Sequence, residues 1–170
     1  MRCRQCQAEL NESSYCPGCG CDVSFQKRVY LISDMYYNQG LEKAQIRDLS
    51  GAVDMLVRSL KFNKRNIQAR NLLGLVYFEM GEAVAALSEW VISDNMQTKD
   101  NIAADFIAQL QSNANKLDTI NQSIRKYNEA LDTCRSGHTD TAIIQLKRVL
   151  QQNPKLIKAY HLLALVYMHN

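Results

Sequence analysis

Apolar residues recur along most of this chain at spacings of three and four, the mark of amphipathic helices. Phe25, Val29, Ile32, Tyr36 and Gly40 fall close to one face of a stretch that has no helix breaker from about Asp22 to Gly40. Asp22 is placed to cap its start. Ile102, Phe106, Ile107 and Leu110 form a second stripe. Leu117, Ile120, Ile124, Tyr127, Leu131 and Cys134 form a third, a seam of about five helical turns. The segment between these two stripes, Gln111 to Asn115, is polar and rich in turn formers, so a break is expected there. Unbroken, the stretch would be one helix of roughly 40 residues, far longer than usual. The pattern predicts an all-α fold for everything after the first 23 or so residues.

A longer period is superposed on the helical one. Asn71 to Gly81 reads NLLGLVYFEMG, and His161 to Asn170 reads HLLALVYMHN. Gly40 and Gly74 stand 34 residues apart, as do Leu41 and Leu75, Ala52 and Ala86, and Ala130 and Ala164. A 34-residue helix–turn–helix unit is the period of the tetratricopeptide repeat, and the chain resembles that family.

The resemblance implies a right-handed solenoid of helical hairpins with about three and a half repeats. They would span roughly 33–66, 67–100, 123–156 and a partial 157–170, with a helical insertion at about 101–122 inside a domain running from 24 to 170. It also implies small residues where paired helices cross: Gly40 with Ala52, Gly74 with Ala86, and Ala130 with Ala142, while Ala164 opens the last unit. Large apolar residues would fill between them, among them Leu56, Leu73, Trp90, Leu146 and Leu163. A glycine suits the left-handed close of each interior turn. Gly81 and Gly137 supply it, whereas the first unit has Arg47. Pro154 matches the family's proline near a repeat end, and Lys64 and Thr98 stand at the equivalent places.

The first 23 residues are of another kind. Five of the six cysteines lie within residues 1–21. Cys3 and Cys6 make one C-x-x-C pair, and Cys16 and Cys19 another. Two such pairs supply four thiolates, the soft tetrahedral set that Zn²⁺ prefers. Pro17 and Gly18 are turn residues that aim both sulfurs of a pair at one point. The segment resembles the short zinc ribbons that open many bacterial proteins. A closed four-sulfur site leaves no position for substrate, so the zinc would be structural, a staple for a segment too short to bury a core. Cys21 is surplus, and reads either as a free thiol or as a replacement for Cys19. Cys134 falls on the third apolar stripe as a core thiol.

Composition adds mainly exclusions. The formal charge is +3. Arg2, Arg4, Lys27 and Arg28 near the ribbon are thin support for nucleic-acid contact. No apolar run approaches the length of a membrane span, and the N-terminus has no signal-peptide core. With the reduced thiols, this points to the cytoplasm. Leu162, Leu163, Leu165, Val166 and Tyr167 form an apolar face with no helix after them, so a longer protein with a membrane segment beyond is expected. No phosphate loop, nucleophile elbow or paired-carboxylate constellation is present, so the chain is not expected to be an enzyme. His138, His161 and His169 have no ligand neighbours in sequence.

What remains is a protein–protein interaction scaffold that holds a protein or peptide on the groove lined by the first helix of each repeat. The register places Tyr37, Leu41, Gln68, Asn71, Leu75 and Phe78 on that groove. Tyr127, Leu131, Arg135, Lys158 and His161 follow. Tyr37 and Leu41 stand where a carboxylate clamp would need Lys and Asn, so that activity is not expected. The alternatives are self-association through the C-terminal helix, membrane-proximal assembly, and ribbon contact with nucleic acid, against which the scattered charge argues.

Overall fold

The computed structural model describes residues 1–112 and 114–169. Its described residues form a cysteine-rich segment and eight α-helices: α1 (Ser24–Gln45), α2 (Leu49–Phe62), α3 (Ile67–Glu79), α4 (Ala83–Met96), α5 (Ala103–Ser112), α6 (Ala114–Arg135), α7 (Thr139–Gln152) and α8 (Ile157–His169). The only β structure among them is two isolated bridges, Arg2 with Glu9 and Tyr15 with Asp22. Among the described residues no helix is long and apolar enough to cross a membrane.

Consecutive helices pack on one another, most extensively α1 on α2, α3 on α4 and α6 on α7. The turns that close these three pairs share a backbone state. Arg47, Gly81 and Gly137 take φ of 61°, 77° and 81°, the left-handed region in which glycine has no steric penalty. Arg47 carries that penalty without being glycine. The helices then cross at small residues. Ala52, Ala86 and Ala142 are fully buried. A Cβ on Gly40 would lie 2.7 Å from Leu56 Cγ, and one on Gly74 only 2.3 Å from Trp90 Nε1.

Each pair is also tied by a buried serine and an asparagine. Asn66 Nδ2 donates to Ser33 Oγ at 3.1 Å, and Ser59 Oγ donates to the Ser33 carbonyl at 2.8 Å. Asn66 Oδ1 accepts from Ala69 N and so caps α3 as well. Asn101 Nδ2 donates to Ser93 Oγ at 3.2 Å, and Asn153 Nδ2 to Ser123 Oγ at 3.3 Å. Aspartate stands at two more helix starts, as the N-cap of α2 and, at α1, one residue before the N-cap, which is Val23 rather than the expected Asp22. Asp48 Oδ1 accepts from Gly51 N and caps α2. Asp22 Oδ1 accepts from both the amide and the hydroxyl of Ser24 at the start of α1.

The helix α5 lies inside the insertion. Its inner face is Ala103, Phe106, Ile107 and Leu110, packed on Trp90 and Ala86. Ile102 precedes the helix and is 53% exposed, so the small Ala103 takes the first place on that face and lets α5 approach closely. The α6–α8 unit also meets the α3–α4 turn. Asn153 Nδ2 donates to the Gly81 carbonyl at 3.1 Å, and Ile157 N to the Met80 carbonyl at 3.4 Å. Lys155 pairs with Glu79 and Lys158 with Glu82. Ile157 packs against the core of α1, α2 and α3. Successive solenoid repeats pack helix flank on helix flank; here α6 packs on α4 and α5, with Leu117 against the Trp90 core, and the two turns add a second contact.

Candidate functional site

The cysteine segment is two copies of one knuckle, thirteen residues apart. In the first, Cys3 N donates to the Ala8 carbonyl and Gln7 N to the Cys3 carbonyl; in the second, Cys16 N donates to the Cys21 carbonyl and Gly20 N to the Cys16 carbonyl. Gln7 and Gly20 both have positive φ, 63° and 72°. The two bridges noted above occupy equivalent places, as do the bonds from Leu10 N to Met1 O and from Val23 N to Ser14 O. Each knuckle therefore turns its two sulfurs the same way, and the copies face each other.

The sulfurs of Cys3, Cys6, Cys16 and Cys19 all lie within 4.8 Å of one another. Cys3 Sγ is 3.8 Å from Cys19 Sγ, and Cys6 Sγ is 3.5 Å from Cys16 Sγ. Ligands at about 2.3 Å from a central zinc stand about 3.8 Å apart in a tetrahedron, so these four sulfurs fit a metal ion. Cys3 and Cys16 are buried and Cys6 and Cys19 exposed. Gly18 is needed in the turn, because a Cβ there would lie 2.8 Å from Ala8 Cβ and 3.2 Å from Cys6 Sγ.

Backbone amides tune the sulfurs. The N–H groups of Cys6 and Gln5 face the Cys3 sulfur and lower its pKa to about 6. Burial opposes ionisation of Cys16, but the amides of Cys19 and Gly18 prevail and lower its pKa. The Ala8 amide favours the Cys6 thiolate, yet Cys16 and Cys19 outweigh it and push the thiol up to about 12. Cys19 is pushed up to about 11, since its neighbour Cys21 offsets the help of the Cys21 amide. Four sulfurs this close ionise together only around a cation, which is the general link between metal binding and thiol deprotonation.

Cys21 adds a fifth sulfur at the rim, 3.3 Å from Cys19 Sγ and 3.6 Å from Cys3 Sγ. It occupies the place of Ala8 in the other knuckle. Val23, Leu10 and Ala8 pack beneath the cluster. Gln26 of α1 joins it to the helices, its Nε2 donating to the Arg2 carbonyl at 2.7 Å and its Oε1 accepting from Arg4 N at 3.4 Å.

The groove positions are distributed over three cores. Tyr37 packs against the core of α1, α2 and α3. Leu75 and Phe78 pack beside Trp90 and α5, with Trp90 Nε1 donating to the Asn71 carbonyl at 3.2 Å. Asn71 Nδ2 donates to Asn101 Oδ1 at 2.8 Å, which turns it toward the start of α5. Tyr127 packs in the core of α6, α7 and α8. Leu41 and Leu131 are half-buried. Gln68, Arg135, Lys158 and His161 are exposed, and Lys158 is taken by Glu82 at 2.7 Å and Arg135 by Asp132 at 3.3 Å.

Phe78 remains at a wall. It lines a cleft of about 370 Å³ with Leu75, Trp90, Phe106 and Leu110, and a second of about 440 Å³ with Ala83, Ile120 and Pro154. Along α8, Ala159 and Val166 are buried, whereas Leu165 is 63% and Met168 83% exposed. Cys134 is half-buried, and burial pushes its thiol pKa up. No protein-family model matches this chain, and no curated protein matches it.

Proposed function

We propose that this chain is a cytoplasmic protein-interaction scaffold built of tetratricopeptide-like hairpins, with a zinc ion stapling its N-terminal knuckles. Phe78 carries the proposal. It belongs to the groove face expected from the repeat register, and it stands between two largely apolar clefts that together suit a short peptide segment with one or two apolar anchors. Support for zinc comes from the sulfur spacing and from the size of the segment, which has only Cys3, Cys16 and Val23 buried and needs a metal to hold it. With four sulfurs around it, such an ion has a structural role.

A displayed-peptide library selected on the purified chain should return ligands with apolar anchors. Gln109 also lines the first cleft, and calorimetry should show Phe78→Ala and Gln109→Glu weakening ligand binding, the first by about 2 kcal/mol as at other interface hot spots. Helical circular dichroism checks that both variants are folded. Failure to select any ligand, or ligands indifferent to both substitutions, would sink the groove reading.

A further inference from the structure

A third cleft, of about 560 Å³, lies between the cysteine knuckles and the first helical pair. Five cationic side chains line it. Arg2 and Arg4 come from the first knuckle, Lys61 from the end of α2, and Lys64 and Arg65 from the loop that follows. All five are exposed. Among the described residues none of them takes part in an ion pair, and no carboxylate lines the cleft. Other cations nearby are already engaged: Lys27 donates to the carbonyls of Asn11 and Ser13, and Arg70 pairs with Glu89.

The cleft is built. Gln26 fixes the backbone of Arg2 and Arg4 on α1. Arg70 Nε donates to the Lys64 carbonyl at 3.1 Å, and Asn63 Oδ1 accepts from Arg65 N at 3.1 Å, which hold the opposite wall. Gathering five like charges without counter-charges raises self-repulsion and focuses a positive potential on the cleft. A dication on four thiolates beside it would contribute about two negative charges, too few to cancel five positive ones.

Two aromatic rings share the wall, Tyr30 and Phe62. Phe62 is 41% exposed and stacks on Tyr36, with centroids 5.7 Å apart and planes 12° from parallel. Cations that track a phosphate backbone, beside rings on which bases stack, are the two requirements of single-strand recognition. An acidic peptide would satisfy the cations but has no use for the rings. From this juxtaposition we infer that the cleft binds a short stretch of single-stranded nucleic acid.

Fluorescence anisotropy with a labelled 12-nucleotide RNA tests it on the full chain, with metal content measured for every variant. Binding should weaken steeply with salt. Lys64→Ala combined with Arg65→Ala should make that salt dependence shallower by about 1.4 in log–log slope, at about 0.7 per lost phosphate contact. Phe62→Ala should weaken binding by roughly 5- to 150-fold, the range for a lost base stack. The double variant alters only exposed side chains, so its folding is not at risk. Polyglutamate of equal charge should compete poorly. The inference is overturned by absence of binding at 50 mM salt, by an unchanged slope in the double variant, or by polyglutamate or polyphosphate competing as well as RNA.

Discussion

Cys21 is the residue whose role the two-knuckle symmetry decides. Its counterpart Ala8 shows that a knuckle closes without a sulfur there, so Cys21 is dispensable for the fold of the turn. Its sulfur nevertheless lies 3.3 Å from Cys19 and 3.6 Å from Cys3, inside the spacing of a tetrahedral sulfur set. Cys21→Ala should leave one metal ion per chain. Cys19→Ser should also retain it, with Cys21 moving in as the fourth ligand, while the double substitution should lose it. Metal analysis and the charge-transfer spectrum of the cobalt-substituted protein read the outcome, and loss of metal from Cys19→Ser alone would assign Cys21 no part. The pairs Cys3–Cys6 and Cys16–Cys19 were legible in the sequence because C-x-x-C spacing is local chemistry. The closeness of Cys21 was not, since it depends on where the second knuckle's chain leaves the turn.

At the scale of the elements, the helices pair through buried alcohols as well as through alanines. Asn66 is the most heavily used of these groups: it caps α3, donates to Ser33, and reaches Asp34 Oδ1 at 3.2 Å. Asn66→Ala removes a cap, worth about 1 kcal/mol, and leaves buried hydroxyls short of a partner, at about 1–3 kcal/mol. Urea unfolding should therefore show a loss of about 2 kcal/mol or more, and a loss below about 0.5 kcal/mol would deny the network any role. Helical periodicity revealed the all-α character and the small residues at 34-residue spacing, because both are patterns of apolar and small side chains. It was blind to the serines. The available signal was register: Ser33 and Ser123 each stand seven residues before a small crossing residue, Gly40 and Ala130, and Ser59 and Ser93 seven residues after Ala52 and Ala86. The cationic cleft had no such signal, because Arg2 and Arg4 meet Lys61, Lys64 and Arg65 only after folding.

The α6–α8 unit meets the rest of the molecule at two places. α6 packs on α4 and α5, with Leu117 against the Trp90 core, and the α7–α8 turn is seated on the α3–α4 turn by Asn153, Ile157, Lys155 and Lys158. Gly81 is the centre of the second contact. It has a φ of 77°, and a Cβ there would lie 2.9 Å from Leu156 N and from Lys155 C. Gly137 has a similar φ of 81° with nothing within 4 Å of its Cβ position, so Gly137→Ala incurs only the backbone penalty, about 1 kcal/mol. Gly81→Ala incurs that penalty and pushes the α7–α8 turn away. The single tryptophan, Trp90, reports on α3–α5, whereas far-ultraviolet circular dichroism reports on every helix. In the unsubstituted chain and in Gly137→Ala the two signals should fall together on urea unfolding, as one cooperative unit. In Gly81→Ala they should separate. Acid acts on the same contact: Lys155, and Arg47 with it, hold the Glu79 carboxyl below its ordinary value against the effect of burial. A depressed folded pKa contributes stability above the unfolded value of about 4.3 and loses it as pH falls through the folded one, so the separation should widen below about pH 4. Coincident signals in Gly81→Ala at every pH would mean that the packing of α6 on α4 and α5 couples the units without the turn.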